Sequence, residues 1–164
     1  MISEKYKIVP IAKELDISST VYTHSINCRD LVGKICFIFM LNTLSGDSST
    51  LTVTSAADDN TYTTAVRFNY AFGGAAIGTA TAGSATSADV LTDYTSASSL
   101  VITYGTYSNF MLVVEVDLAD MNSALDHDWI SCTFTDPGSA AGTVTGFAIC
   151  EPRYPGSNSD TVLA

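Results

Sequence analysis

The sequence predicts an all-β protein: an antiparallel, jelly-roll-like β-sandwich with an extended N-terminal arm and a C-terminal tail. Three observations predict it. Apolar and hydroxylated residues alternate with period two in segment after segment, as half-buried strands require. Those segments are mostly about five to eight residues long, β-branched and aromatic, and bounded by Gly, Asp, Asn or Ser. No helical pattern separates them, so the crossover helices of a βαβ fold are missing.

The first strong element is Ile35-Cys36-Phe37-Ile38-Phe39-Met40-Leu41, a continuous apolar run of strand length. Such a run suits a central strand covered on both faces. Leu44-Ser45-Gly46-Asp47 reads as a turn, and Thr50-Leu51-Thr52-Val53-Thr54 as a half-buried strand with one apolar and one hydroxylated side. Ala57-Asp58-Asp59-Asn60 is a turn cluster, after which alternation resumes from Thr61 to Phe72. Further strands are expected at Leu100–Tyr104, Phe110–Val116, Trp129–Thr135 and Thr143–Cys150. Helix is confined to a turn or two within Asp117–Leu125, where Asp117 or Asp120 can cap. The inward face is predicted to carry Phe37, Phe39, Val53, Val66, Phe68, Val101, Val114, Ile130, Phe134 and Phe147. Residues 73 to 99 break the pattern with Gly, Ala, Ser and Thr, and read either as a surface loop or as a small-residue segment packed on a neighbouring subunit.

At 164 residues the chain forms one domain with a substantial core. Residues 1–30 read as the arm and first strand, 31–154 as the sandwich body and 155–164 as the tail. Charged residues make up only 15% of the chain, and Ser and Thr, about a quarter of it, take their place. The formal charge of −10 disfavours nucleic acid and anionic membranes as partners. Five of the seven bases fall within residues 1–34, against four acids there, which reads either as a faintly basic arm attached to an acidic body or as a first strand with a few solvated lysines. The first residues show no secretory pattern, no apolar run reaches the length of a membrane span, and Cys28, Cys36, Cys132 and Cys150 lack C-x-x-C spacing. These features predict cytosolic manufacture with free thiols.

Chemistry is sparse. Of two histidines, His127 lies in Asp126-His127-Asp128-Trp129, but successive strand residues point to opposite faces and no second His or Cys sits at ligand spacing. There is no G-x-S-x-G elbow, Gly73-Gly74-Ala75-Ala76-Ile77-Gly78 lacks the Lys-Ser/Thr ending of a P-loop, and thirteen Asp residues form no calcium-loop pattern. The expectation is a protein that is not an enzyme, with no catalytic residue, metal or cofactor. Eight tyrosines, several in Ser/Thr-rich stretches, suit contact surfaces or sugar stacking.

A series of landmarks carries a resemblance: Lys5-Tyr6-Lys7-Ile8-Val9-Pro10, then the strands, then Val114-Glu115-Val116-Asp117-Leu118-Ala119-Asp120-Met121, Thr135-Asp136-Pro137-Gly138 and Glu151-Pro152-Arg153-Tyr154. In their order these resemble the head decoration proteins of tailed bacteriophages, also called cement or auxiliary capsid proteins. The resemblance implies a structural virion protein made in the host bacterial cytoplasm. It would bind the outer surface of the major capsid protein lattice and stabilise the shell, commonly as a homotrimer. The arm then becomes the expected capsid or subunit interface, through Lys5, Tyr6, Lys7, Ile8, Val9, Pro10, Ile11 and Lys13. Pro10 keeps it extended, and an extended segment can add to an exposed sheet edge. The alternative is a carbohydrate- or receptor-binding β-sandwich module.

Overall fold

The computed structural model describes residues 5–78, 87–121, 126–135, 141–154 and 161–163. Its strands are β1 (Lys7–Asp16), β2 (Val21–Tyr22), β3 (Ile26–Asn27), β4 (Leu31–Leu41), β5 (Ser48–Ala56), β6 (Thr64–Ala65), β7 (Phe68–Phe72), β8 (Thr95–Ala97), β9 (Leu100–Thr103), β10 (Met111–Asp117), β11 (Trp129–Thr135) and β12 (Thr143–Pro152). All pairings are antiparallel. Sheet A has the order β1-β12-β4-β10-β7-β8. Sheet B has the order β2-β11-β5-β6, with β3 also on β11 and β9 also on β5. The two sheets enclose one core, in which Phe37, Phe39, Ile35 and Leu41 of β4 meet Leu51 and Val53 of β5 and Ile130, Cys132 and Phe134 of β11. The Phe39 and Phe134 rings pack edge to face across it, centroids 5.4 Å apart.

The sandwich predicted from alternation is the fold found, with two inward residues corrected. Val101 is 57% exposed and Phe147 36% exposed. In β9, Leu100 and Ile102 turn inward instead. A Leu-Val-Ile run has no intrinsic parity, and pairing of Val101 with the outward Thr50 decides it. In β12 the small residues Gly146 and Ala148 point inward because they sit opposite Phe39 and Phe37. A Cβ on Gly146 would lie 2.6 Å from the Phe39 ring. The bulky Phe147 is therefore displaced to the outside.

In the N-terminal segment the first-strand reading holds and the arm reading is corrected for residues 7–16. Residues 7–16 are not an arm but the edge strand of sheet A, paired with β12 from Lys7–Cys150 to Asp16–Thr143. Val9, Ile11 and Ile17 belong to the core. Register shifts after Pro10 and Ala12 bulge the strand, and Glu14 in the second bulge has φ 46°. Together with Pro10 and Lys13 these blunt the free edge, the usual protection against edge-to-edge association. A third bulge lies in β4, where Gly33 takes φ 70° and the pairing with β12 shifts; a positive φ there suits glycine.

Among the described residues the sandwich carries one helical turn, α1 (Tyr104–Tyr107), where the sequence predicts the end of a strand, and a 3-10 turn at Leu118–Asp120. Asp117 caps the latter, its carboxylate accepting from Ala119 N at 3.0 Å. Tyr107 of α1 stacks on Phe72 with centroids 3.7 Å apart, which fixes the turn against β7. The described flanks of the small-residue segment close on each other: Gly74 N donates to Val90 O at 2.7 Å and Gly73 N to Met111 O at 2.8 Å. Its centre, the remainder of the Asp117–Leu125 helix candidate, the Asp136-Pro137-Gly138 landmark and most of the 155–164 tail lie outside the described residues. Val162 and Leu163 of that tail pack against the core beside β3, where Asn27 N donates to Val162 O at 2.8 Å.

Candidate interaction faces

Strand alternation divides the predicted interface residues between two sides. Lys7, Val9 and Ile11 turn inward and are buried, so Val9 and Ile11 are core residues and not surface anchors. Ile8, 56% exposed, and Pro10 turn outward, and Lys13 is exposed beyond the first bulge. Lys5 lies over the Tyr6 ring, 5.0 Å from its centroid. The structure thus brings Ile8, Pro10 and Lys13 to one margin of sheet A and removes the rest of the β1 set from it.

The outer face of sheet A beyond that margin is apolar in its middle rows and charged at one end, where Lys34 pairs with Glu115 at 3.7 Å. Pro10, Phe147, Ile38, Val113 and Ala71 are successive cross-strand partners, forming one row with no polar side chain across five strands. A neighbouring row runs Ile8, Ile149, Cys36, Glu115, and another Thr145, Met40, Met111. Ile38, Met40, Met111 and Ile149 are half-buried and turn away from the core. At the β7 end Val113 and Ala71 are already covered. Tyr94 approaches this end: burial raises its hydroxyl pKa, and Glu115 and Cys36 add to the shift. The uncovered part lies over β1, β12 and β4, where Ile8, Pro10 and Phe147 are exposed and Ile38, Met40 and Ile149 half-buried; a contiguous exposed apolar patch marks an interaction surface.

Sheet B presents the opposite chemistry. Its outward residues pair as Thr50–Thr135, Thr52–Thr133 and Thr54–Ser131. Ser131 Oγ donates to Thr23 O at 3.2 Å and Thr135 Oγ1 to Thr50 O at 3.2 Å, so part of this hydroxyl face is internally bonded. Over it, the β2–β3 segment and the β5–β6 loop form the walls of a cleft of about 380 Å³.

Polar contacts elsewhere among the described residues are local. His127 Nδ1 lies 2.9 Å from Ser55 Oγ, but Ser55 is fully buried and no substrate can reach it. Asp128, which lines one cavity with His127, accepts from Arg29 Nη2 at 2.7 Å and Nε at 3.1 Å. Among the described residues no three His, Cys, Asp or Glu side chains are placed to hold a metal ion. All four cysteines are free. Burial, with Glu115 adding, pushes the Cys36 thiol up to about 11. Burial alone drives the Cys132 thiol still higher. Such thiols are protonated and unreactive near neutrality. No helix among the described residues is long and apolar enough to cross a membrane.

Sequence reasoning singled out β1 and missed Ile38, Met40, Met111, Phe147 and Ile149. The signal was present in the unbroken run Ile35–Leu41, which asks for cover on both faces. The core covers only one of them. No protein-family model, curated protein or solved structure matches the chain.

Proposed function

We propose that the chain is a structural virion protein that binds the outer surface of a tailed-phage capsid and stabilises the shell, docking through the outer face of sheet A. The observation that carries this reading is the apolar row Pro10–Phe147–Ile38–Val113, exposed at its β1 end in a protein whose other outer face is hydroxylated. Burial of this apolar surface supplies the driving force for docking. A standard interface takes roughly 800 Å² from each partner, so Ile8, Pro10 and Lys13 at the β1 margin belong to the same footprint. The choice of partner rests on the resemblance of the sequence landmarks to head decoration proteins. Strand addition by a free arm is withdrawn, since β1 is already paired.

Co-sedimentation with purified capsids tests the reading. The double variant Ile38→Thr/Phe147→Thr keeps β-branched or strand-compatible residues at surface positions. It should retain the native circular dichroism spectrum and decorate particles at least about tenfold more weakly. Full decoration by this variant would remove sheet A as the docking face. Sedimentation velocity of the free protein reads the homotrimer implied by the resemblance, and a wild-type trimer that the variant dissolves would assign the patch to copies of the chain instead.

A further inference from the structure

We infer that the cleft on the outer side of sheet B is a binding site for a neutral sugar ring. Tyr22 and Tyr62 contribute its aromatic surfaces, and Asp59, Asn60 and His24 its polar rim. At about 380 Å³ it lies at the small end of ligand sites, the scale of one or two rings. Tyr22 is 55% exposed, so a ring face is free to receive the C–H face of a pyranose. Asp59 and Asn60 carry the planar paired acceptors and donors that match vicinal hydroxyls, and Asn60 Nδ2 donates to Asp59 Oδ1 at 2.7 Å, aligning the two groups.

Both walls are held before any ligand arrives. Thr23 N donates to Cys132 O at 2.9 Å and His24 N to Ile11 O at 2.9 Å, which ties the β2–β3 wall to β11 and β1. The opposite wall is an Asx turn in which Asp58 Oδ1 accepts from Asn60 N at 2.9 Å and Thr61 N at 2.8 Å. Preorganisation of this kind lowers the ordering cost of binding. The charge of the site selects within sugars. Asp58 and Asp59 stand at the rim of a chain with formal charge −10, and among the residues lining the cleft there is no Lys or Arg, so an acidic sugar is repelled. The site is separate from sheet A, and neither proposal depends on the other.

The test uses the full-length protein and saturation-transfer NMR with methyl α-D-glucopyranoside and methyl β-D-galactopyranoside, with N-acetylneuraminic acid and choline as competitors. At least one neutral glycoside should receive saturation on its ring protons, with a Kd of roughly millimolar order. Tyr22→Ala and Asn60→Ala should each weaken it about tenfold or more while leaving the circular dichroism spectrum and capsid decoration unchanged. Absence of saturation for both glycosides overturns the inference, as does a signal unaltered in Tyr22→Ala. Preferential binding of choline would reassign the cleft to cationic amines, and preferential binding of N-acetylneuraminic acid would refute the charge argument.

Discussion

The two sheets share an apolar interior but differ on the outside. On sheet B the outward positions are Thr50, Thr52, Thr54, Ser131, Thr133 and Thr135, all hydroxylated, with Ser131 and Thr133 covered. On sheet A the equivalent positions of β4 and β12 are Cys36, Ile38, Met40, Phe147 and Ile149. Both sheets are built from the same kind of strand, so folding alone does not demand the difference. What the contrast teaches is that alternation identifies a sheet with one wet face, and its failure on one sheet marks where a second surface has to be supplied.

The largest expected effect separates core from surface along β1. Deleting residues 2–13 removes Val9 and Ile11 from the core, each worth roughly 2–4 kcal/mol, together with most of the edge-strand pairing. That approaches the whole stability of a typical domain, about 5–15 kcal/mol. The truncated chain should lose cooperative thermal unfolding. A native-like transition would show that β1 is dispensable and restore the arm as a separate element.

Two phenylalanines on adjacent strands sharpen the comparison. Phe39 is wholly buried and Phe147 faces out, so Phe39→Ala should cost about 3–5 kcal/mol and Phe147→Ala about 1 kcal/mol or less. Chemical denaturation of both variants measures the difference. Equal costs would mean that Phe147 is covered within the chain itself, and sheet A would no longer be an open face.

The cysteines give a smaller, site-resolved version. At pH 8 a thiol with pKa about 11 is thiolate in about one molecule in a thousand. Cys36 should therefore label slowly in the native protein, and Cys132 not at all until the protein unfolds. On decorated particles Cys36 should be protected; labelling at an unchanged rate would place the capsid contact elsewhere. After denaturation without reductant all four cysteines should react.

The smallest effect concerns the turn that bears the sheet B cleft. Hydrogen bonds from Asn60 N and Thr61 N hold the Asp58 carboxyl below its ordinary value of 3.8. A folded value below the unfolded one contributes stability that is complete above the unfolded value and is lost as pH falls through the folded one. Asp58→Asn should thus be slightly less stable than the parent at pH 6 and indistinguishable from it near pH 2. A carboxyl titration midpoint at or above 3.8 for Asp58 would contradict the turn geometry.

Much of the candidate site was readable only in part. The set Lys5–Lys13 drew notice through its bases and Pro10, yet composition says nothing about which of its residues a neighbouring strand will bury. The Asp58–Asn60 turn was legible from its residue types, because Asx chemistry is local. Its juxtaposition with Tyr22 and His24 was not, since those residues are more than thirty positions away in sequence.

By itself the sequence determined the fold class, the positions of the main strands from Ile35 onward and the choice of Asp117 or Asp120 as a cap. Each follows from local chemistry, namely side-chain alternation, turn residues and a carboxylate one turn from free N–H groups. Tertiary structure decided strand order, the parity of apolar runs and the fate of the N-terminus. In Gly146-Phe147-Ala148 and Leu100-Val101-Ile102 both parities are sterically and hydrophobically open to the isolated segment. Only the partners across the sheet, Phe39 and Phe37 for the first and Thr50 for the second, fix which side chains are inside. Parity is a pairing property: a one-residue slip exchanges the two faces of a strand, and nothing within the strand opposes that slip when both faces are apolar.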